Sequence, residues 1–94
     1  MKWLEIIELR TTESNREMLE TLLMELVEDV DRATEEQAIA TYSRVMPYAD
    51  FGIHLFHDTP DVEHAGSQLG LHISSALKAY GMVNHSTWIQ TLSK

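Results

Sequence analysis

Five histidines, all between positions 54 and 85, and the polar residues around them hold most of the chemistry this chain could perform. The densest group is His54-Leu55-Phe56-His57-Asp58, followed by Asp61, Glu63 and His64. Imidazole and carboxylate are ligands for zinc and related divalent ions. Spacing works against a shared site, because residues 54 and 57 of an extended segment point to opposite faces. His57, Asp58, Asp61 and His64 meet only if the loop after the strand folds back. No metal is assigned, and a polar rim or ordinary surface loop is the simpler reading. His54 has a different claim: it falls in mid-strand on the side of Gly52 and Phe56, and a residue without a side chain leaves space beside it. A neutral imidazole there suits a general base or a group that orients a substrate. The structural alternative is a hydrogen-bonded histidine in a partly buried interface. Asp50 and Asp58 are the acids that could bias its tautomer.

Asn84, His85 and Trp88 form a second group. Asn84 and Trp88 share one strand face and His85 takes the other. Trp88 either walls an aromatic ligand pocket or fills a core or subunit interface. Arg44 shares a face with Tyr42 and can hold a carboxylate or phenolate, or pair with the acidic surface. Ser67, Ser74, Ser75 and Ser86 stand in no nucleophile motif, since Gly-x-Ser-x-Gly is absent. No phosphate loop or dinucleotide fingerprint occurs, so no nucleotide cofactor is indicated.

Hydrophobic periodicity supplies the scaffold for these residues. Residues 2–10 read as a strand with Trp3, Ile7 and Leu9 on one face and Leu4 and Ile6 on the other. Both faces of such a sheet need cover. Two helical segments cover one face, and the second calls for a partner subunit or a ligand. Ser14 and Glu17 have capping-box spacing, with Ser14 as N-cap. Met18, Leu19, Leu22, Leu23, Leu26, Val27 and Val30 then mark an amphipathic helix of about 15 residues whose acids form a solvated face.

Asp31 to Gln37 read as a polar connection, and residues 38–46 as a second strand that Pro47 ends. Residues 50–57 read as a third strand, antiparallel to the second because the link is short. After a polar loop at 58–66, a helix over 67–80 buries Leu69, Ile73, Ala76, Leu77 and Tyr80. Gly66 and Gly70, four apart, let its backbone approach a neighbour closely. Gly81 is the natural stop, and residues 82–92 carry the final strand. The order βαββαβ is the ferredoxin-like plan: one α+β domain spanning 1–94, a four-stranded antiparallel sheet, and both helices on one face.

The net charge of −8 is uneven, with eleven acids and four bases in residues 1–36 against four acids and three bases in 37–94. Such a surface repels phosphate backbones and anionic membranes, so neither nucleic acid nor membrane is an expected partner. The more neutral second part is the expected home of a site or interface. There are no cysteines, which removes disulfides and thiolate chemistry. With no signal-peptide pattern and no run of roughly 20 apolar residues, a cytoplasmic protein is expected.

The element order and the two-sided sheet resemble the dimeric α/β-barrel superfamily, in which two ferredoxin-like subunits pack their sheets together. Asp50-Phe51-Gly52-Ile53-His54-Leu55, Gly66-Ser67-Gln68-Leu69-Gly70-Leu71 and Val83-Asn84-His85-Ser86-Thr87-Trp88 resemble the antibiotic-biosynthesis-monooxygenase-like branch. The resemblance implies a homodimer joined through its sheets. It also implies a pocket between sheet and helices or near the dimer contact, and cofactor-independent monooxygenation of an aromatic or quinol-type compound. His54 or His85 would then be the base, Asn84 or Arg44 would stabilise the oxyanion, and Trp88 would shape the pocket. A non-enzymatic small-molecule-binding dimer and a structural or regulatory dimer are the competing classes.

Overall fold

The computed structural model describes residues 1–33, 38–45 and 50–92. The first strand, β1, spans Lys2–Arg10, and its odd-numbered residues Trp3 to Leu9 are buried while the even ones are not. A short 3-10 turn at Glu13–Asn15 leads into α1, Arg16–Ala33. Strand β2 is Ile39–Ser43 and β3 is Phe51–Asp58. Helix α2, Gln68–Leu77, precedes β4, Met82–Ile89. The strands form one antiparallel sheet in the order β2-β3-β1-β4, an α+β arrangement compatible with the ferredoxin-like plan.

Both helices pack on the face of the odd-numbered β1 residues. There Ile7, Leu9, Phe51, Ile53 and Leu55 meet Leu19 and Leu23 of α1 and Ile73 and Leu77 of α2. Among the described residues no helix covers the other face, which carries Leu4, Ile6, His54 and Phe56 and, on the outer strands, Tyr42 and Trp88. Trp88 is 56%, Tyr42 52% and Phe56 38% exposed. The expected antiparallel pairing of the second and third strands holds. Among the described residues, no helix is long and apolar enough to cross a membrane.

Several local expectations change. Ser14 is not the N-cap: that position falls two residues earlier, at Thr12, ahead of the 3-10 turn, and the Ser14 hydroxyl bonds the Thr12 hydroxyl at 2.8 Å. Asp31 to Ala33 extend α1 rather than join the connection, while residues 34–37 lie outside the described ones, as do Met46 and Pro47. β4 stops at Ile89, short of residue 92. The buried stripe of α2 is Gly70, Ile73, Ser74 and Leu77, with Leu69 and Ala76 exposed. Two small residues one turn apart face the sheet, and they let α2 settle closely upon it. The helix ends at Leu77, ahead of Gly81, which lies against the Arg10 backbone where no side chain would fit.

Candidate functional site

One residue of β1 breaks the apolar pattern. Glu5 lies between Trp3 and Ile7 on the helix-covered face and is 0% exposed. A lone buried carboxylate is strongly destabilising, so its surroundings must supply compensating donors. They supply four. Oε1 accepts from the Ser67 backbone N–H at 2.9 Å and from His85 Nε2 at 2.8 Å. Oε2 accepts from the Ser67 hydroxyl at 2.5 Å and from His57 Nε2 at 2.6 Å.

Sheet register delivers the histidines. His57 of β3 is paired with Trp3, and His85 of β4 with Ile7. Each is therefore a diagonal neighbour of Glu5 on the same face, within reach of a long side chain. Ser67 arrives from the other layer as the N-cap of α2, where its hydroxyl accepts from Gly70 N–H at 3.0 Å while donating to Glu5. The close fit depends on two glycines. Gly66 has φ of 100°, which L side chains rarely adopt, and a Cβ there would strike His85 and Glu5. A Cβ at Gly70 would strike the Glu5 carboxylate itself.

Burial pushes the Glu5 carboxyl upward. The hydrogen bonds from the Ser67 hydroxyl, His57, the Ser67 amide and His85 outweigh it and hold the group below its ordinary value. An ionised carboxylate requires each Nε2 to carry the donated proton, which leaves the Nδ1 lone pairs as acceptors. Among the described residues neither Nδ1 has a hydrogen-bond partner, and the His57 and His85 side chains are 19% and 15% exposed. An imidazole polarised by a carboxylate on its far side is an arrangement suited to proton transfer. The His57 ring is also held by Trp3, stacked on it at a centroid distance of 4.0 Å. Trp3 is anchored in turn by its indole N–H, which donates to Thr59 Oγ1 at 2.8 Å. A cleft of about 580 Å³ opens here, lined by Lys2, Trp3, Leu4, Phe56, His57, Asp58 and Gln90.

The two alternative bases, His54 and His85, fall on opposite faces of the sheet, and the two alternative oxyanion groups, Asn84 and Arg44, fall at opposite edges. His85 faces the helices, whereas His54 and Asn84 lie on the uncovered face. β1 separates the strands that carry His54 and Asn84, so about 10 Å of sheet lies between them. Arg44 lies past the end of β2, its side chain 57% exposed, and pairs with Asp50 at 3.4 Å. Strand alternation and the order β2-β3-β1-β4 are the reasons for the separation. His54 rests between aromatic rings, with Tyr42 at 4.6 Å and Phe56 at 6.3 Å. Neither acid expected to bias it does so, since Asp50 holds Arg44 and Asp58 holds the N-terminal amine. The indole N–H of Trp88 donates to the Ser86 hydroxyl at 2.8 Å.

His54 and His57 do face opposite ways, and His57 is engaged with Glu5 rather than with the loop residues Asp61 and His64. No group of three histidines and acids among the described residues is placed to hold a metal ion. Sequence reasoning passed over Glu5, His57 and His85 as its partners, and Ser67 as a donor. The available signal was a carboxylate flanked two residues either side by Trp3 and Ile7, on a strand face that otherwise reads as core. Comparison with protein-family models, curated proteins and solved structures finds no match to this chain.

Proposed function

We propose that the chain works as a homodimer whose second copy closes the uncovered sheet face into an α/β barrel, and that the dimer binds a small aromatic or quinol-type molecule. Cofactor-independent monooxygenation is the reaction implied by the resemblance to the antibiotic-biosynthesis-monooxygenase-like branch. The observation that carries the reading is the make-up of the uncovered face. Phe56, Leu4 and Trp88 form one row across three strands, and His54 and Ile6 lie in the next. A two-fold axis through such a face buries the same apolar rows from both copies, and large exposed apolar patches mark interaction sites. His54, walled by Tyr42 and Phe56, faces into the space so enclosed.

In the reaction the base takes the phenolic proton, and the phenolate passes one electron to dioxygen. The phenoxyl radical and superoxide combine to a peroxide anion, which takes the proton back from the base, and the resulting hydroperoxide loses water to leave the quinone. Light scattering on a sizing column gives the mass of the assembly, and an oxygen electrode with hydroquinone reads turnover. The reading requires a mass of two chains and protein-dependent oxygen uptake. A monomer at tens of micromolar ends the barrel, and a dimer without uptake leaves a binding or structural role.

That second role has its own support. All four hydrogen bonds to Glu5 are what a purely structural clamp between sheet and α2 also requires. Reversible uptake of a phenol without turnover would distinguish a binding protein from a catalyst.

A further inference from the structure

We propose that His57 is a general base at the cleft beside Trp3, and that the cleft takes a planar aromatic carrying a weakly acidic proton. The inference rests on the preceding reading only for the aromatic class of the ligand; proton transfer here needs neither oxygen nor a second copy.

Three features of the cleft converge on that chemistry. The base is held in place, with His57 Nε2 bonded to Glu5 at 2.6 Å and the ring stacked on Trp3 at 4.0 Å. Its Nδ1 has no protein partner among the described residues, and the side chain, 19% exposed, lines the cleft. The lining takes Trp3 from the helix-covered face and Leu4 and Phe56 from the other, and its polar share, with Lys2, His57, Asp58 and Gln90, is the larger. A cation is at hand, because Lys2 lines the same cleft and pairs with no acid among the described residues. Asp58, the cleft's acid, is paired with the N-terminal amine at 3.3 Å. The volume, about 580 Å³, suits a small molecule. His57 would accept the proton, Lys2 would face the anion that forms, and Glu5 would be a positioning residue that fixes the tautomer and stabilises the imidazolium.

The probe is 5-nitrobenzisoxazole, planar and activated at C3–H. Nδ1 of His57 takes the C3 proton, and the C–H electron pair completes the nitrile. The N–O bond breaks and its electrons go to the oxygen, giving the coloured 2-cyano-4-nitrophenolate with no oxidant consumed. The expected rate exceeds that of equimolar free imidazole by about 100-fold or more, rises with pH as a base is uncovered, and is the same under argon. His57→Gln should lose that whole increment, and His72→Gln, on the exposed side of α2, should keep it. Glu5→Gln should lower kcat and displace the pH profile with KM little changed, a shift that a merely structural role would not give. A wild-type rate equal to that of His57→Gln overturns the proposal. If His57→Gln fails to fold by circular dichroism, 4-nitrophenol is titrated into wild-type protein and the histidine ring resonances are followed. His57 must respond first and saturably, and an unmoved His57 overturns the proposal. Oxygen uptake with hydroquinone alongside a silent His57 would sink this inference and leave the oxygenase reading standing.

Discussion

Replacing Gly70 by alanine sets two physical effects against each other. Gly70 is the third residue of α2, where alanine should favour the helix by about 1 kcal/mol. The added Cβ, however, falls on the Glu5 carboxylate. A flexible side-chain end could swing aside cheaply, but this one is pinned by four hydrogen bonds. Moving Oε1 sacrifices the bonds from Ser67 N–H and His85, each about 1.5–3 kcal/mol for a charged acceptor. Moving the helix instead strains the Ser67 cap, about 1 kcal/mol, and the two bonds that the Ser67 amide and hydroxyl donate to Glu5. Either route exceeds the propensity gain, leaving a net loss of about 2–4 kcal/mol after partial relaxation. In a domain of this size that lowers Tm by roughly 10–25 °C. Thermal unfolding followed by far-ultraviolet circular dichroism is the assay, with Ser75→Ala on the exposed side of the same helix as the propensity control. In a Glu5→Ala background the Gly70→Ala penalty should largely vanish, because the obstructing carboxylate is gone. A Gly70→Ala protein as stable as wild type would refute the clamp.

The acid limb of stability tests the same carboxylate. Glu5 titrates below 4.5 in the folded chain, so its contribution is fully present above the unfolded value and is lost as pH falls through the folded one. Glu5→Gln should lack this part of the acid-induced loss in urea melts taken across that window, and an unchanged acid slope would contradict the assignment. If the proposed dimer forms through the uncovered face, Trp88→Glu, at a position 56% exposed, should leave a monomer by light scattering with the circular dichroism spectrum intact. A dimer that survives it does not use this face. Arg44→Ala should cost less than about 1 kcal/mol in the same melts, because its partner Asp50 is held only by an exposed arm. A larger loss would mean that Arg44 has a role beyond the surface pair.

The layered fold was legible because two periods are written plainly into the chain. Trp3, Ile7 and Leu9 alternate with Leu4 and Ile6, and Leu19 and Leu23 recur one turn apart. Gly66 and Gly70 also announced a close approach, although what they approach is a carboxylate, not another backbone. The site was less legible because Glu5's partners lie 52 to 80 residues from it along the chain and meet it only through the fold. Nothing local says that His57 falls opposite Trp3 or that His85 falls opposite Ile7. Glu5 itself was readable, since a charge on a core-facing strand position demands partners, and histidine and a helix N-cap are natural ones. The expected set of His54, His85, Asn84 and Arg44 was grouped by chemistry without the strand order that separates its members.

The central claim is that one buried carboxylate orders two imidazoles with Nε2 toward it and Nδ1 toward solvent. A long-range nitrogen–proton NMR spectrum of the wild-type protein, taken at rising pH until the ring patterns stop changing, reads the protonated nitrogen of each ring directly. The account predicts the Nε2–H form for His57 and His85 together, with both patterns altered by Glu5→Gln and those of His64 and His72 unaffected. An Nδ1–H form in His57 or His85, or rapid averaging of the two tautomers in either ring, would contradict it.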